Sequence, residues 1–461
     1  MNFMLKYFFL FSMGLLCLPI DVVGQNCRTD GYKGIWYTIE QSSEYGYKYS
    51  GGLGTYTADH VPVAIYVPEV EKTFFVYGGT TQKDERHLLV MASYYDHKKK
   101  VVPRPVVVCD KKGVYDTHDN ISISIDKEGY IWVFVSGRNV SRLGIVYKSK
   151  EPYSIDSFEK VYESVFTYPQ PWYVEGKGFM HLFTKYTGKN RGRELYWSTS
   201  IDGKKWYPDQ KLAGIEGHYQ ISNIVGNKIV TAFNYHPEGS ADTRTNLYVV
   251  QTMDMGGNWQ TVTGENIRVP LTEPVNPALV YDCKNEGKLL YLNDMNFDRF
   301  GNPIILAVVS RHFQPGPQGN PREWIVFHWT GKQWERHKVC ESTHNYDMGS
   351  VYVRGKEWVI IGPTEAGPQK WGTGGEMALW RSKDEGKSWV KVRNVTKNSL
   401  FNHSYARRPV NAHDDFYAFW ADGDADHMSE SKLYFTNRKG NKVWLLPYDM
   451  DTEFATPVRV K

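Results

Sequence analysis

Three copies of one short pattern, Ser/Thr-x-Asp-(x)-Gly-x-x-Trp, punctuate this chain of 461 residues. They run from Ser200 to Trp206 (one residue short), from Thr252 to Trp259 and from Ser382 to Trp389. Each follows a run of strand-forming residues, such as Leu195-Tyr196-Trp197 or Ala378-Leu379-Trp380, which places it at a hairpin turn. There the Asp (Asp202, Asp254, Asp384) caps the turn, the Gly takes a positive φ, and the Trp opens the next strand and packs beneath the loop. A chain that repeats such a turn is committed to many antiparallel hairpins of similar size.

The pattern resembles the Asp-box, or BNR repeat, of sialidase-type β-propellers, which occurs at most once per blade on the outer rim and signals fold, not chemistry. Trp206, Trp259, Trp334 (in Gly331-Lys332-Gln333-Trp334) and Trp389 recur at a mean of about 61 residues, which allots about seven blades to the chain. We therefore expect an all-β, seven-bladed β-propeller with Asp-box (BNR) repeats. An aromatic content of 15%, with 41 Gly and 22 Pro, fits many short strands and tight turns. Tyr130 to Ser136 and Leu289 to Asn293 are such strands, and long helix-period stretches are absent.

Residues 1–24 read as a secretory signal peptide, with Lys6 ahead of an apolar core from Tyr7 to Leu18 and the small Gly24 before Gln25. Nothing later is apolar for the roughly 18 residues a spanning helix needs. The expectation is a secreted or periplasmic protein whose residues 25–461 form a single propeller domain, since no linker composition divides them and a ring of blades grows without splitting. Cys27, Cys109, Cys283 and Cys340 show no metal-ligand spacing; a Cys27–Cys109 or Cys283–Cys340 bridge and buried free thiols stay open together. The net charge of +4 comes from interleaved acids and bases, with only Lys98-Lys99-Lys100 clustered, as at a hairpin tip. That balance argues against nucleic acid and allows a local cationic pocket.

Propeller blades set their innermost strands around a central channel, so polar residues flanked by aromatics in short inner segments converge there. Five segments stand out: Asp116 to Asn120, with His118, before the alternating strand Ile121 to Ile125; Gly217 to Gln220, with His218 and Tyr219; Asn234 to Pro237, with Tyr235 and His236; His344 to Asp347, with Tyr346; and His403 to Pro409, with Arg407 and Arg408. Each His also has an ordinary reading, as a hydrogen-bonded residue that satisfies backbone groups. Asp116 and Asp347 have one as turn caps. Of the adjacent Arg407 and Arg408, only one can face the channel, where it would read an anion. Asn293 to Asp298 with Gly301-Asn302-Pro303 looks calcium-like but lacks the Gly and distal Glu of a helix-loop-helix site, so an Asp/Asn-rich turn is expected. A structural Ca2+ there stays open, and no catalytic metal or other cofactor is indicated.

This inventory of His, Tyr, Arg and Asn is short of the carboxylate pair that glycosidases use. Abstracting the proton α to a uronate carboxylate needs instead an Arg or Asn to neutralise that carboxylate and His or Tyr as base and acid. The residues suit β-elimination from a uronic-acid glycan.

Tyr49 to Tyr56, Thr73 to Gly79, His344 to Gly349, Gly362 to Glu365 and Tyr405 to Asn411 resemble segments of a secreted group of seven-bladed propellers from polysaccharide-degrading Bacteroidetes. That group holds ulvan lyases, rhamnose-α-1,4-glucuronate lyases, oligosaccharide dehydratases and rhamnosyl-glucuronate hydrolases. The resemblance implies a lyase-type site with His118 and Asn120 at its first position, Arg193 as carboxylate neutraliser and Tyr235 as acid/base partner, with Tyr173 a further match. Where the lyases carry a second His, this sequence has Ser136-Gly137-Arg138. Arg138 cannot be an ordinary base and would bind the carboxylate. The hydrolases use a His from an N-terminal segment on the opposite face of the ring; here residues 34–59 hold none, Gln41 lies in the matching region, and the first His is His60. Hydrolysis of a rhamnosyl-glucuronate bond is thus the alternative, and a non-catalytic propeller that binds acidic glycans is another. A sialidase would need an Arg-Ile-Pro motif, which is absent. The partner expected throughout is an acidic oligosaccharide or polysaccharide, met by a monomer.

Overall fold

The computed structural model describes residues 26–82, 87–114 and 116–461, so the expected leader, residues 1–24, lies outside the described residues. Hydrogen bonding gathers the strands into seven antiparallel sheets of at least four strands in chain order, the blades of a seven-bladed β-propeller. Blade 1 shows the pattern: Ala64–Val67, Lys72–Gly79, Leu89–Asp96 and Val106–Asp110 pair in succession, the first strand innermost. The first strands of blades 2 to 7 are Ile121–Ile125, Thr167–Val174, Gln220–Val225, Leu289–Phe297, Ser350–Arg354 and Asn402–Arg407. Among the described residues the helical elements are short 3-10 turns, and no helix is long and apolar enough to cross a membrane.

The three Asp-box turns join the third and fourth strands of blades 3, 4 and 6 as their residues require. Ser200 Oγ, Thr252 Oγ1 and Ser382 Oγ accept the amide N–H of Gly203, Gly256 and Gly386 at 2.8, 2.9 and 2.8 Å. Asp202, Asp254 and Asp384 accept further turn amides at 2.8 to 3.0 Å. The three glycines have φ of 70°, 86° and 87°, and a Cβ on each would meet Trp132, Trp197 or Trp358 within 2.5 Å. Glycine is thus required by the backbone and by the buried indole beneath it. Trp206 and Trp389 close the turn by donating from Nε1 to the Gly203 and Gly386 carbonyls at 3.0 and 2.9 Å.

Neighbouring blades are tied at the channel by bonds from one first-strand region to the next. Ile123 N donates to Pro62 O (2.9 Å), Ser122 Oγ to Pro169 O (2.6 Å) and Gln170 Nε2 to Gln220 O (2.7 Å). Asn223 Nδ2 donates to Met295 O (2.9 Å), Asn296 Nδ2 to Val351 O (2.8 Å) and Ser350 Oγ to Ala406 O (2.7 Å). Val410 N to Ala64 O, 2.8 Å, returns to blade 1 and closes the ring. Apolar packing seals the same seam, with Phe75 of blade 1 against Phe416 and Phe419 of blade 7. The C-terminal Phe454–Ala455 adds to it by pairing with Val102–Pro103. At the other end of the chain, the hairpin of Gly34–Ser43 and Gly46–Gly52 joins blade 7 through Ser429–Ser431 and leads residues 53–63 into the channel.

Cys27, Cys109, Cys283 and Cys340 are all free thiols, so neither bridge forms. The Asn293 to Asp298 segment is an inner strand and a turn: Asp298 Oδ1 accepts Phe300 N and Asn302 N at 2.8 and 2.9 Å and Oδ2 meets His328 Nε2 at 3.0 Å. Its carboxylate is satisfied by protein groups.

Candidate active site

One mouth of the channel, where the first strands begin, is lined by tyrosines and capped by charge. Its residues include Tyr56, Asp59, His118, Tyr168, Tyr219, Arg244, Tyr346 and Tyr405, drawn from five blades and the N-terminal segment. Two of these tyrosines reach the mouth through distorted strands. Tyr168 (φ 54°) and Tyr405 (φ 56°) adopt left-handed backbone at register shifts between Thr167 and Gln170 and between Ser404 and Arg407. A bulge re-aims a side chain that regular alternation would send elsewhere, and a bulky residue at positive φ is held there by its surroundings.

His118 is fixed from three sides. Nδ1 lies 2.8 Å from Asp116 Oδ1, Nε2 lies 3.1 Å from the Tyr56 hydroxyl, and its own carbonyl meets His60 Nε2 at 3.2 Å. The carboxylate of Asp116 also binds Arg138 Nε and Arg142 Nη2, each at 2.9 Å from Oδ2. Burial and then the Arg138 charge lower the His118 pKa against the opposing pull of Asp116. Burial alone would raise Asp116, but the hydrogen bond from His118 and the charges of His118 and Arg138 hold it well below the usual carboxylate range. The result is a neutral imidazole with Nδ1–H toward Asp116 and its basic Nε2 toward the mouth. Arg142 also clamps the fully buried Asp119 (2.8 and 3.0 Å), which takes Lys111 Nζ at 2.6 Å, so the loop that carries His118 is anchored by two carboxylates.

The charges of Arg138 and Arg193 act on this imidazole. Arg138 hydrogen-bonds the Tyr186 hydroxyl, and Arg193 stacks over the Tyr186 and Tyr219 rings, 5.0 Å to each centroid, with its buried Nε unpartnered. Arg244 stacks over Tyr219 and Tyr291 at 4.6 and 4.3 Å and donates to the Tyr346 hydroxyl at 2.7 Å. The Tyr168 ring stands edge-on to both His118 (6.1 Å) and Tyr219 (5.5 Å), and its buried hydroxyl has no partner. Burial raises that hydroxyl well above the usual phenol value, so Tyr168 is a neutral proton donor. Asp59 is the carboxyl among these lining residues, pushed by burial to about 6.

Of the residues singled out in the sequence, His118, Arg138, Arg193, Tyr219 and Tyr346 meet at this mouth. His236 stands beside them, edge-on to Tyr219 at 4.8 Å with both ring nitrogens buried and unpartnered. Others are elsewhere. Tyr235 turns away and donates to Glu216 Oε2 at 2.9 Å, so it is no partner for His118. Tyr173 sits at the far end of the strand that begins near Tyr168, packed on Phe179. His218 spends both nitrogens on backbone, meeting Asn234 O at 2.7 Å and accepting Ile215 N at 3.0 Å. His344 is fully buried and accepts the Tyr346 amide at Nδ1, which makes it a turn residue. Asn120 donates to the carbonyls of Leu53 and Tyr56 (2.7 Å each) and so positions Tyr56. Arg407 is consumed by the carbonyls of Thr55, Thr57 and His60, and Arg408 by Asp294 (3.0 Å) and Met295 O (2.8 Å). Alternation does send the two arginines apart, but each is saturated by protein groups. The Gln41 region, expected on the opposite face, lies at this same mouth: Gln41 accepts Lys48 Nζ at 3.0 Å, and Lys48 pairs with Asp242 and stacks on Tyr49.

The residues that sequence reasoning missed are Tyr168, Tyr186, Arg244 and the pairing role of Asp116. Asp116 and Tyr56 lay inside segments already singled out; the bulge at Tyr168 and the loop position of Arg244 left no local mark.

The sequence profile of the BNR repeat-containing family matches residues 72–342, more than half of the chain. The chain belongs to the BNR repeat-containing family. An ulvan lyase of Nonlabens ulvanivorans is 24% identical over 332 residues, 61% of this chain and 66% of that one. An ulvan lyase of Alteromonas sp. (strain LOR) is 20% identical over 362 residues, 71% and 73% of the two chains. This BNR-repeat chain thus spans about two thirds of the length of the curated relatives it matches. Among solved structures, a family PL25 ulvan lyase bound to -[GlcA(1-4)Rha3S]- superposes with a TM-score of 0.69 at 18% identity, covering 87% of this chain and 96% of that one. The polysaccharide lyase Uly1 gives a TM-score of 0.59 at 13% identity over 90% and 99%. These likenesses establish a shared propeller fold.

Proposed function

We propose that this protein is a secreted, monomeric polysaccharide lyase that cleaves rhamnose-uronate glycans of the ulvan type by β-elimination. The observation that carries the reading is the presence, at one channel mouth, of a carboxylate-anchored His118 and of Arg193, whose charge acts on that imidazole and whose buried Nε has no partner. The ulvan lyases it resembles support the substrate class.

Arg193, assisted by Arg138 and Arg244, binds the uronate carboxylate and neutralises it, which lowers the pKa of the C5 proton. His118 Nε2 takes that proton. The C5–H electron pair becomes the C4=C5 double bond, the C4–O bond breaks, and the departing O4 takes the proton of the Tyr168 hydroxyl. Asp116 holds the imidazole in the tautomer this requires and stabilises the imidazolium that forms. Hydrolysis would need two carboxyls flanking the bond. Asp116 is spent on Arg138, Arg142 and His118, and Asp242 on Lys48, which leaves Asp59 alone among the carboxyls described at this mouth.

Incubation with rhamnose-glucuronate oligosaccharides tests the reading, because elimination makes an unsaturated uronate with ultraviolet absorbance and hydrolysis does not. Products without that absorbance would assign a hydrolase. Binding without turnover would assign a glycan-binding propeller.

A further inference from the structure

We propose that His97, His413 and Asp415 form a zinc site that clips blade 1 to blade 7 where the ring closes. One ligand atom from each of the three lies within 4.8 Å of the others. His97 follows the third strand of blade 1, Leu89–Asp96; His413 and Asp415 lie in the loop between Asn402–Arg407 and Ala418–Gly423 of blade 7. The cluster shares no residue with the chemistry described above.

The arrangement has the parts of a metal site. His97 is buried, and its Nε2 is 2.8 Å from Thr73 Oγ1, which orients the ring as an outer-shell partner does and leaves Nδ1 without any partner. Its ring centroid is 3.9 Å from that of His413, and Tyr66 packs against both rings at 5.1 and 4.8 Å, while Tyr95 walls the His97 side at 4.9 Å. Two imidazoles and one carboxylate, with a fourth position left for water, are the donor set of zinc. Bonds of about 2.0–2.1 Å place tetrahedral ligand atoms about 3.3 Å apart, so the cluster must contract. His413 and Asp415, both partly exposed, can supply that movement while His97 stays fixed. Lys100 Nζ now meets Asp415 at 2.7 Å, so the carboxylate already holds a cation, on an exposed side chain that can leave. Ligation through His413 Nδ1 would give up that atom's 3.1 Å contact with the Asp415 amide.

The location assigns the consequence. This seam otherwise depends on the Val410–Ala64 and Tyr66–Val410 backbone bonds, aromatic packing and the terminal strand pair. A bond from metal to both blades would resist their separation, and ligand binding to the folded form alone raises the melting temperature by mass action.

The test is titration of the full chain, freed of metal with a chelator, by Zn2+ in a calorimeter and by Co2+ with visible absorbance as a probe of tetrahedral coordination. One ion should bind, with tetrahedral Co2+ bands, and saturating Zn2+ should raise Tm by at least about 3 °C. His413→Ala and Asp415→Asn, which remove partly exposed groups, should each weaken binding by about a hundredfold or more and abolish the rise above each variant's own metal-free Tm. His97→Gln, which retains a hydrogen bond to Thr73, should do the same. Absence of binding to the unaltered chain, or binding that survives both His413→Ala and Asp415→Asn, would overturn the proposal.

Discussion

The Asp116 carboxylate lies 2.8 Å from His118 Nδ1 and offers its second oxygen to Arg138 and Arg142, so one partly buried anion orients the base and holds two cations beside it. Asp116→Asn keeps the shape and removes the charge that fixes the tautomer. Turnover, measured by absorbance of the unsaturated product, should fall about 10²- to 10⁴-fold. The same geometry sets the pH profile. Because burial and Arg138 depress the His118 pKa, the rising limb of kcat/KM should lie below the ordinary imidazole value of about 6.5. Arg138→Met removes a depressing charge and should move that limb to higher pH; an unmoved limb would assign the titrating base elsewhere.

Arg193 offers charge to a group that gains electron density only as C5 loses its proton. Arg193→Ala should lower kcat about a hundredfold or more on uronate substrates, the loss typical of one preorganised donor. A rise in KM with kcat unchanged would mean that the guanidinium holds ground state and transition state equally, as a binding residue does.

Several histidines are buried neutral, and their cost appears in acid. Burial lowers His181 and His344 to about 3 and His218 and His403 to about 4. Below about pH 6.5 the unfolded chain takes up protons that the fold refuses, so their contribution is complete above that value and is lost as pH falls toward the folded values. Each contributes a slope of up to about 1.4 kcal/mol per pH unit in that window. Thermal unfolding between pH 7 and 5 should show a steep fall in Tm, and His181→Phe, which fills an aromatic pocket of Phe134, Phe166 and Phe183, should flatten it.

What the sequence made legible was local. An Asp-box carries its own turn amides, its glycine and its indole within eight residues, and three copies at blade spacing sufficed for the ring. His118 stood out in its own polar segment, and Arg193 was reachable because the lyase resemblance named it. Tyr168 was not, because its position rests on a bulge that tertiary contacts hold at positive φ, and an aromatic ahead of Pro169 looks like any strand start. Arg407 misled for the opposite reason: a strand Arg beside the channel reads as an anion binder until the carbonyls of Thr55, Thr57 and His60, some 350 residues earlier, are seen to consume it.

The two tyrosines separate these accounts most sharply. Resemblance pointed to Tyr235 as the acid/base partner, yet its hydroxyl bonds Glu216 outside the mouth, and burial with that carboxylate pushes it up to about 12. Tyr168 instead presents an unpartnered hydroxyl between His118 and Tyr219. Both Tyr→Phe changes keep the ring and its packing, so neither should unfold the protein. Tyr168→Phe removes the proton that the departing O4 needs and should lower kcat about 10²- to 10⁴-fold, the usual worth of a positioned general acid. Tyr235→Phe should leave kcat and KM within about threefold of the unaltered enzyme, at a stability cost of about 1 kcal/mol for one partly exposed hydrogen bond. The reverse order of losses would return the acid to Tyr235 and require the Glu216 loop to swing over the mouth, which a structure with bound uronate oligosaccharide would reveal.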